Sequence, residues 1–150
     1  MNAEELWEKS GLSGYHEAWA FAEAPDKLLD LVRRGIKTAT CSVYDLYAVQ
    51  GMRIPEAGDY SVLLDSKDNA CCIIRTVKVT IEEFCKVSGE HAWKEGEGDR
   101  SLDYWRQVHR EFMTSELSGI NEEFDEQKKL ICEEFELVYD AKKGNIIRKA

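Results

Sequence analysis

The chain has 150 residues, 43% of them hydrophobic and 33% charged, with a formal net charge of −9, and these proportions predict one soluble globular domain over 1–150 with a single core. No run approaches the roughly 18 apolar residues of a membrane span, and Met1-Asn2-Ala3-Glu4-Glu5 lacks the basic start and apolar stretch of a signal peptide, so the expected location is the cytoplasm. The acidic balance argues against binding duplex DNA or coating other long nucleic acids, because such binding needs many Lys and Arg set against phosphates.

Asn2 to Ser10 carries helix formers with Leu6 and Trp7 on one side, and Ser10-Gly11-Leu12-Ser13-Gly14 stops it, which predicts an N-terminal helix over about 2–11. In Glu17–Ala22 the aromatics Trp19 and Phe21 stand two apart, as in a strand with one buried face. Pro25 precedes Leu28, Leu29 and Val32, and Gly35 follows them; that asymmetry predicts a helix over 25–34. Ser42 is placed to cap a second helix that carries Val43, Leu46 and Tyr47 and stops at Gly51. A turn at Pro55 and Ala57-Gly58-Asp59 leads into two β-branched, apolar runs, 60–65 and 70–80, joined by Ser66-Lys67-Asp68-Asn69 as a hairpin.

Residues 81–87 and 90–95 read as short helical turns. Ser101 then caps a longer amphipathic helix with Leu102, Trp105, Val108 and Phe112 on one stripe. A strand around Leu130–Tyr139 follows, in which Cys132, Phe135, Leu137 and Tyr139 largely alternate with acids. Lys142, Lys143, Arg148 and Lys149 make a short basic tail over about 140–150, expected to fray. Antiparallel strands interrupted by helices predict an α+β fold, a small β-barrel or curled sheet with helices outside. Without Gly-x-Gly-x-x-Gly, a Walker sequence or Gly-x-Ser-x-Gly, neither a dinucleotide fold nor a nucleophile elbow is supported.

Charge is unevenly spread. Leu31–Arg53 holds Arg33, Arg34, Lys37 and Arg53 against Asp45, a local +3 suited to an anion. Glu111–Glu136 holds nine acids against Lys128 and Lys129, a local −7 that reads as a solvated helix face. The five cysteines are odd in number and lack a Cys-x-x-Cys pair, so free, buried thiols are expected rather than a disulfide framework or zinc ribbon. His16, His91 and His109 lack the i, i+4 spacing of a helical metal pair. No metal and no cofactor are expected.

Lys37 and Thr40 follow a helix C-cap, where a loop can aim side chains into a cleft and where they carry little core area. A partly desolvated Lys can act as a base, and a Thr hydroxyl beside it becomes a usable nucleophile. The same residues also suit a plain role, Lys37 on helix carbonyls and Thr40 as an N-cap.

Three segments carry a resemblance: Gly35-Ile36-Lys37-Thr38-Ala39-Thr40, the Gly58-Asp59-Tyr60 turn, and the stretch from Glu90-His91-Ala92-Trp93-Lys94-Glu95 through Gly96-Glu97-Gly98-Asp99-Arg100 to Arg106. Together they resemble the ASCH domain family of the PUA-like superfamily, in its longer subfamily of about 150 residues, over about Trp19 to Tyr139. The resemblance implies a small PUA-like β-barrel of mostly antiparallel strands with peripheral helices, and a cleft that receives a nucleoside or short single-stranded RNA. Some small members are amidohydrolases that remove the acyl group from N4-acetylcytidine with a Lys, a Thr three residues later and a Glu in a His-Ala-x-x-Glu stretch. The matching positions are Lys37 as base, Thr40 as nucleophile and Glu95 as the group that orients Lys37 or handles the leaving amine, with Glu97 able to take that role. A metal-independent amidohydrolase of an acylated nucleoside or modified RNA base is thus implied; other members are ribonucleases or non-catalytic RNA-binding modules, which stand as the alternatives. Ser42 occupies a position where the amidohydrolases carry an Arg, a change that touches ligand binding.

Tyr44 and Tyr47 lie near the Lys-Thr motif and can line the same cleft, and Trp93 and Tyr104 are the aromatics suited to stack a base. Trp105 is shared between that role and the core stripe. Arg100, Arg106 and His109 suit phosphate contacts or, beside Asp99 and Asp103, surface ion pairs.

Overall fold

The computed structural model describes residues 1–146. Asn2 caps α1 (Ala3–Ser10) through a reciprocal box with Glu5, and Gly11 closes the helix in the left-handed region. Leu6 and Trp7 pack from α1 onto Val62, Ile73 and Tyr139. The predicted strand at 17–22 is β1 (His16–Trp19), and Phe21 lies beyond it in the core. Helix α2 (Pro25–Arg33) starts at proline, buries Leu29 and Val32 against Leu63, Ile74 and Phe135, and is followed by Gly35 at φ 76°.

The hairpin forms as β3 (Tyr60–Leu64) and β4 (Ala70–Glu83), and β5 (Lys129–Asp140) is the last long strand. The sheet runs β1-β3-β4-β5-β2, with β2 (Ala39–Val43) at one edge; β1–β3 is parallel and every other pair antiparallel. A short β6 (Gly144–Asn145) pairs with β5. Strands β4 and β5 are the longest and form the centre of the sheet, and their pairing slips between Thr76 and Lys78, where an extra residue bends the ribbon. The curl turns β1 and the start of β3 toward β2, leaving a hollow on the inside of a half-barrel. Helices α3 (Tyr44–Gln50), α4 (Gly89–Glu95) and α5 (Leu102–Ser118) lie around it.

Several expectations change. Ser42 does not cap α3; it lies inside β2, and Val43 is the N-cap without a side-chain bond. Thr40 sits in that strand rather than in a loop. Residues 81–83 continue β4 before a single 3-10 turn at Phe84–Lys86, because pairing with Lys129–Ile131 satisfies the backbone that a helical turn would otherwise close. The acidic run is not one helix face, since α5 ends at Ser118 and Glu133, Glu134 and Glu136 belong to β5. Part of the basic tail is ordered as β6, while Arg148 and Lys149 lie outside the described residues. The five cysteines are free, with Cys72 and Cys132 buried and the others partly so. Among the described residues no helix is long and apolar enough to cross a membrane.

Candidate functional site

The segment after α2 is pinned on both sides. Ile36 and Lys37 donate their backbone N–H to Leu31 O, Thr38 donates to Lys94 O at 2.7 Å, and Phe135 donates to Thr38 O at 2.9 Å. Lys37 is therefore held between α2, α4 and β5, and only 1% of it is exposed. A loop lysine with little core area was expected; the ammonium is instead among the most enclosed groups in the protein. Its Nζ donates to Glu95 Oε1 at 3.0 Å, to Glu95 O at 3.4 Å and to Glu97 Oε2 at 3.2 Å, so all three protons have partners.

Ser88 caps α4, which places Glu95 in its last turn one residue ahead of Gly96. Glycine is required at 96: φ is 76°, and a Cβ would lie 2.7 Å from Ile36 O. The other Glu95 oxygen accepts from Trp105 Nε1 at 2.7 Å and meets His91 Nε2 at 2.9 Å. His109 stacks on Trp105 with centroids 4.3 Å apart and brings Nε2 to 3.7 Å from Glu95 Oε1. Its Nδ1 is 2.8 Å from Trp105 O, an acceptor only, so the proton on that side belongs to Nδ1.

Burial alone would push the Lys37 ammonium down and the Glu95 carboxyl up. Their mutual attraction wins on both sides: Glu95 and Glu97 hold Lys37 above its ordinary value, and Lys37 with His109 and His91 holds Glu95 well below its own. Burial would also lower His109, but the bond to Glu95 raises it. At neutral pH the centre is an ion pair, and Lys37 is a cation rather than a free base.

Lys37, Thr40, Glu95 and Glu97 line one cavity of about 660 Å³, together with Ser42 and Tyr47, whose hydroxyls lie 2.6 Å apart. That volume suits a small molecule of nucleoside size. Neither Lys37 nor Glu95 hydrogen-bonds Thr40, which faces the hollow from β2. Cys41, next along the strand, is no rival nucleophile: burial first and Glu95 second push its thiol well up, away from the thiolate.

The remaining predicted contacts lie elsewhere. Tyr44, Trp93, Arg100 and Tyr104 do not line the cavity. The Arg100 guanidinium sits 3.7 Å from the centroid of the exposed Trp93 ring and bonds Trp93 O and Ile36 O, which ties the α4 end to the Lys37 segment. Tyr104 covers Gly98. Trp105 belongs to the core, as the stripe predicts, and its indole N–H is what reaches Glu95. Arg106 bonds Cys85 O.

Sequence reasoning missed other residues of the lining. Glu17, Asp59, Thr76 and Glu133 line the cavity from β1, the turn before β3, β4 and β5. Burial first, with Asp59 and Glu17 adding to it, pushes Glu133 up to about 7. Alternation along β5 marks Glu133 only as one acid among several; the curl of the sheet turns it inward.

The local basic excess is neutralised. Arg33 forms a two-pronged bond to Asp140 at 2.9 and 2.8 Å, Arg34 pairs with Asp30, and Arg53 pairs with Glu56 and Asp59. Seven carboxyl side chains line the cavity (Glu17, Glu23, Asp59, Glu95, Glu97, Glu116 and Glu133) against Lys37 and Arg53, so acids outnumber bases in the lining.

Two trios bring cation-ligating atoms within 4.8 Å of one another, Cys41 with His91 and Glu95, and Glu95 with Glu97 and His109. Both depend on Glu95, whose oxygens already serve Lys37, His91 and Trp105. The Lys37 ammonium bonds Glu95 and Glu97, two members of the second trio.

An ASCH domain profile matches residues 17–139. The chain is similar to a crystal structure of an ASCH domain from Lactobacillus crispatus JV V101, with 29% identity and a TM-score of 0.83 over 89% of this chain and 92% of that one. It is similar to a crystal structure of a protein from Enterococcus faecalis V583, with 36% identity and a TM-score of 0.82 over 91% and 88% of the two chains. A hypothetical protein at 14% identity and a TM-score of 0.54 shares the fold alone. No curated protein matches the chain.

Proposed function

The chain belongs to the ASCH domain family, and on that premise we propose that it is an amidohydrolase that removes an acyl group from the amine of a nucleoside or modified base. The observation that carries the reading is the cavity itself: a Thr hydroxyl and a buried Lys-Glu ion pair open onto one hollow of about 660 Å³. Thr40 attacks the acyl carbon. Lys37 acts through its charge. Glu97 is its more exposed partner, at 22%, and is the one an acyl oxygen can displace to receive an ammonium N–H as negative charge develops. Glu95, fixed by Trp105 and His91, holds Lys37 in place throughout. Tyr47 and Ser42 offer hydroxyls to the polar edge of a base, in a place where the missing Arg leaves room for no guanidinium contact.

The charge of the cavity favours a phosphate-free ligand. Acids outnumber Lys37 and Arg53 in the lining, an excess that repels each phosphate of an RNA strand, while an amino-bearing base meets acceptors on several sides. The test incubates purified protein with a panel of N-acylated nucleosides, the matching 5′-monophosphates and short RNAs, and reads products by mass spectrometry. Free nucleoside and carboxylic acid are the expected products, with the monophosphates slower and the RNAs intact; cleaved RNA or an untouched panel would overturn the reading.

A further inference from the structure

We propose that Glu133 is the proton acceptor for Thr40, a catalytic residue outside the Lys-Thr-Glu motif; this rests on the reading of Thr40 as nucleophile given above. The two residues are direct partners in the β2–β5 register. Residues opposed in an antiparallel pair project to the same face with Cβ atoms about 4.5–5.5 Å apart, a separation that a glutamate and a threonine hydroxyl can close to a hydrogen bond. Both line the cavity.

The surroundings of Glu133 leave it free for that task. Thr76 Oγ1 donates to its Oε1 at 3.3 Å from β4, which anchors one oxygen. Neighbouring acids of β5 are taken up by cations, Glu134 by Lys94 and Glu136 by Arg75, but Glu133 has no such ion pair among the described residues. Glu17 from β1, Asp59 ahead of β3 and Tyr47 from α3 face it, and Arg53 is committed to Asp59 and Glu56. Lys37 lines the same cavity, but two carboxylates keep it protonated. A carboxyl near 7 is half ionised at neutral pH, which suits a group that takes a proton in one step and gives it back in the next.

The proton balance closes. As Thr40 Oγ1 bonds to the acyl carbon, its proton passes to the Glu133 carboxylate and the carbonyl π pair moves onto oxygen. When the carbonyl re-forms, the C–N bond breaks and Glu133 returns the proton to the departing nitrogen. Water then attacks the acyl-threonine with its proton taken by Glu133, and collapse releases the carboxylic acid while Thr40 regains its hydrogen.

The test uses p-nitrophenyl acetate, whose reaction needs no nucleoside. Thr40-dependent release of p-nitrophenolate is the rate of the full-length protein minus that of Thr40→Val, and acid-quenched peptides locate the acetyl group. Glu133→Gln is expected to slow the Thr40-dependent rate by about 100-fold and to abolish its rise with pH around neutrality, with partial recovery in Glu133→Asp. An unchanged rate in Glu133→Gln, or no Thr40-dependent release in the unmodified protein, would overturn the assignment. Should the N-acyl nucleosides resist hydrolysis while p-nitrophenolate release still depends on Glu133, the substrate class falls and the base assignment stands.

Discussion

Lys37 Nζ lies 3.0 Å from Glu95 Oε1, and the two side chains are 1% and 2% exposed. The pair is unequal in its reserves. Glu95 has Trp105, His91 and His109 besides Lys37, whereas Lys37 has Glu97 and the face of the Phe21 ring besides Glu95. Glu95→Ala should therefore cost about 3–5 kcal/mol by leaving an undercompensated buried ammonium, and Lys37→Met roughly half as much. Urea denaturation of both variants reads the difference; equal losses would mean that the other donors to Glu95 do not share its charge.

Glu133 makes stability depend on pH in the direction opposite to most carboxylates. Its folded value of about 7 lies above the ordinary 4.5 of an unfolded glutamate, so the folded state favours the protonated form. Below about pH 4.5 both states are protonated and nothing changes; between there and about 7 the unfolded chain releases a proton that the folded chain keeps, and stability falls as pH rises. Glu133→Gln should raise the melting temperature at about pH 8, by an amount equivalent to about 3 kcal/mol, and leave it unchanged at about pH 4. Melts across that range check the sign, and a gain independent of pH would place the Glu133 carboxyl in an ordinary solvated setting.

Gly96 and Gly89 flank the same short helix but sit in different space. Gly96 has φ 76° and Ile36 O where a Cβ would go, while nothing lies within 4 Å of the position at Gly89. Gly96→Ala is expected to lose about 2 kcal/mol or more and most hydrolytic activity, because it separates α4 from the segment that carries Lys37. Gly89→Ala should change neither by much. Matched activity and denaturation curves decide, and indifference at both positions would show that the α4 junction yields without moving Lys37.

How far the sequence reveals this site depends on whether a residue's role is local. Lys37, Thr40 and Glu95 stand out in the sequence through the motif resemblance, and the Pro-started helix with its Gly end marks where the Lys37 segment begins, although Thr40 lies in a strand rather than a loop. The fold class is legible because the hairpin runs and the stripe of α5 bury through periodicity. Glu133 is not, because its inward turn follows from the slip between Thr76 and Lys78 and from β2 pairing across the curl. Tyr44, Trp93, Arg100 and Tyr104 are close in sequence to the motif but are not among the residues that line the hollow. Ser42 reads as a cap until a paired strand claims its backbone.

The claim on which the rest depends is that Thr40 opens an amide in this cavity. Its most direct measurement is the release of free nucleoside from an N-acylated cytidine by the unmodified protein and by Thr40→Val, followed chromatographically at equal protein concentration after both are shown to fold. Steady release by the unmodified protein is expected, with a loss of about 100-fold or more in the variant, which keeps the cavity and the Lys37–Glu95 pair but has no hydroxyl. Release at the same rate by Thr40→Val, or none by either protein, would contradict that claim.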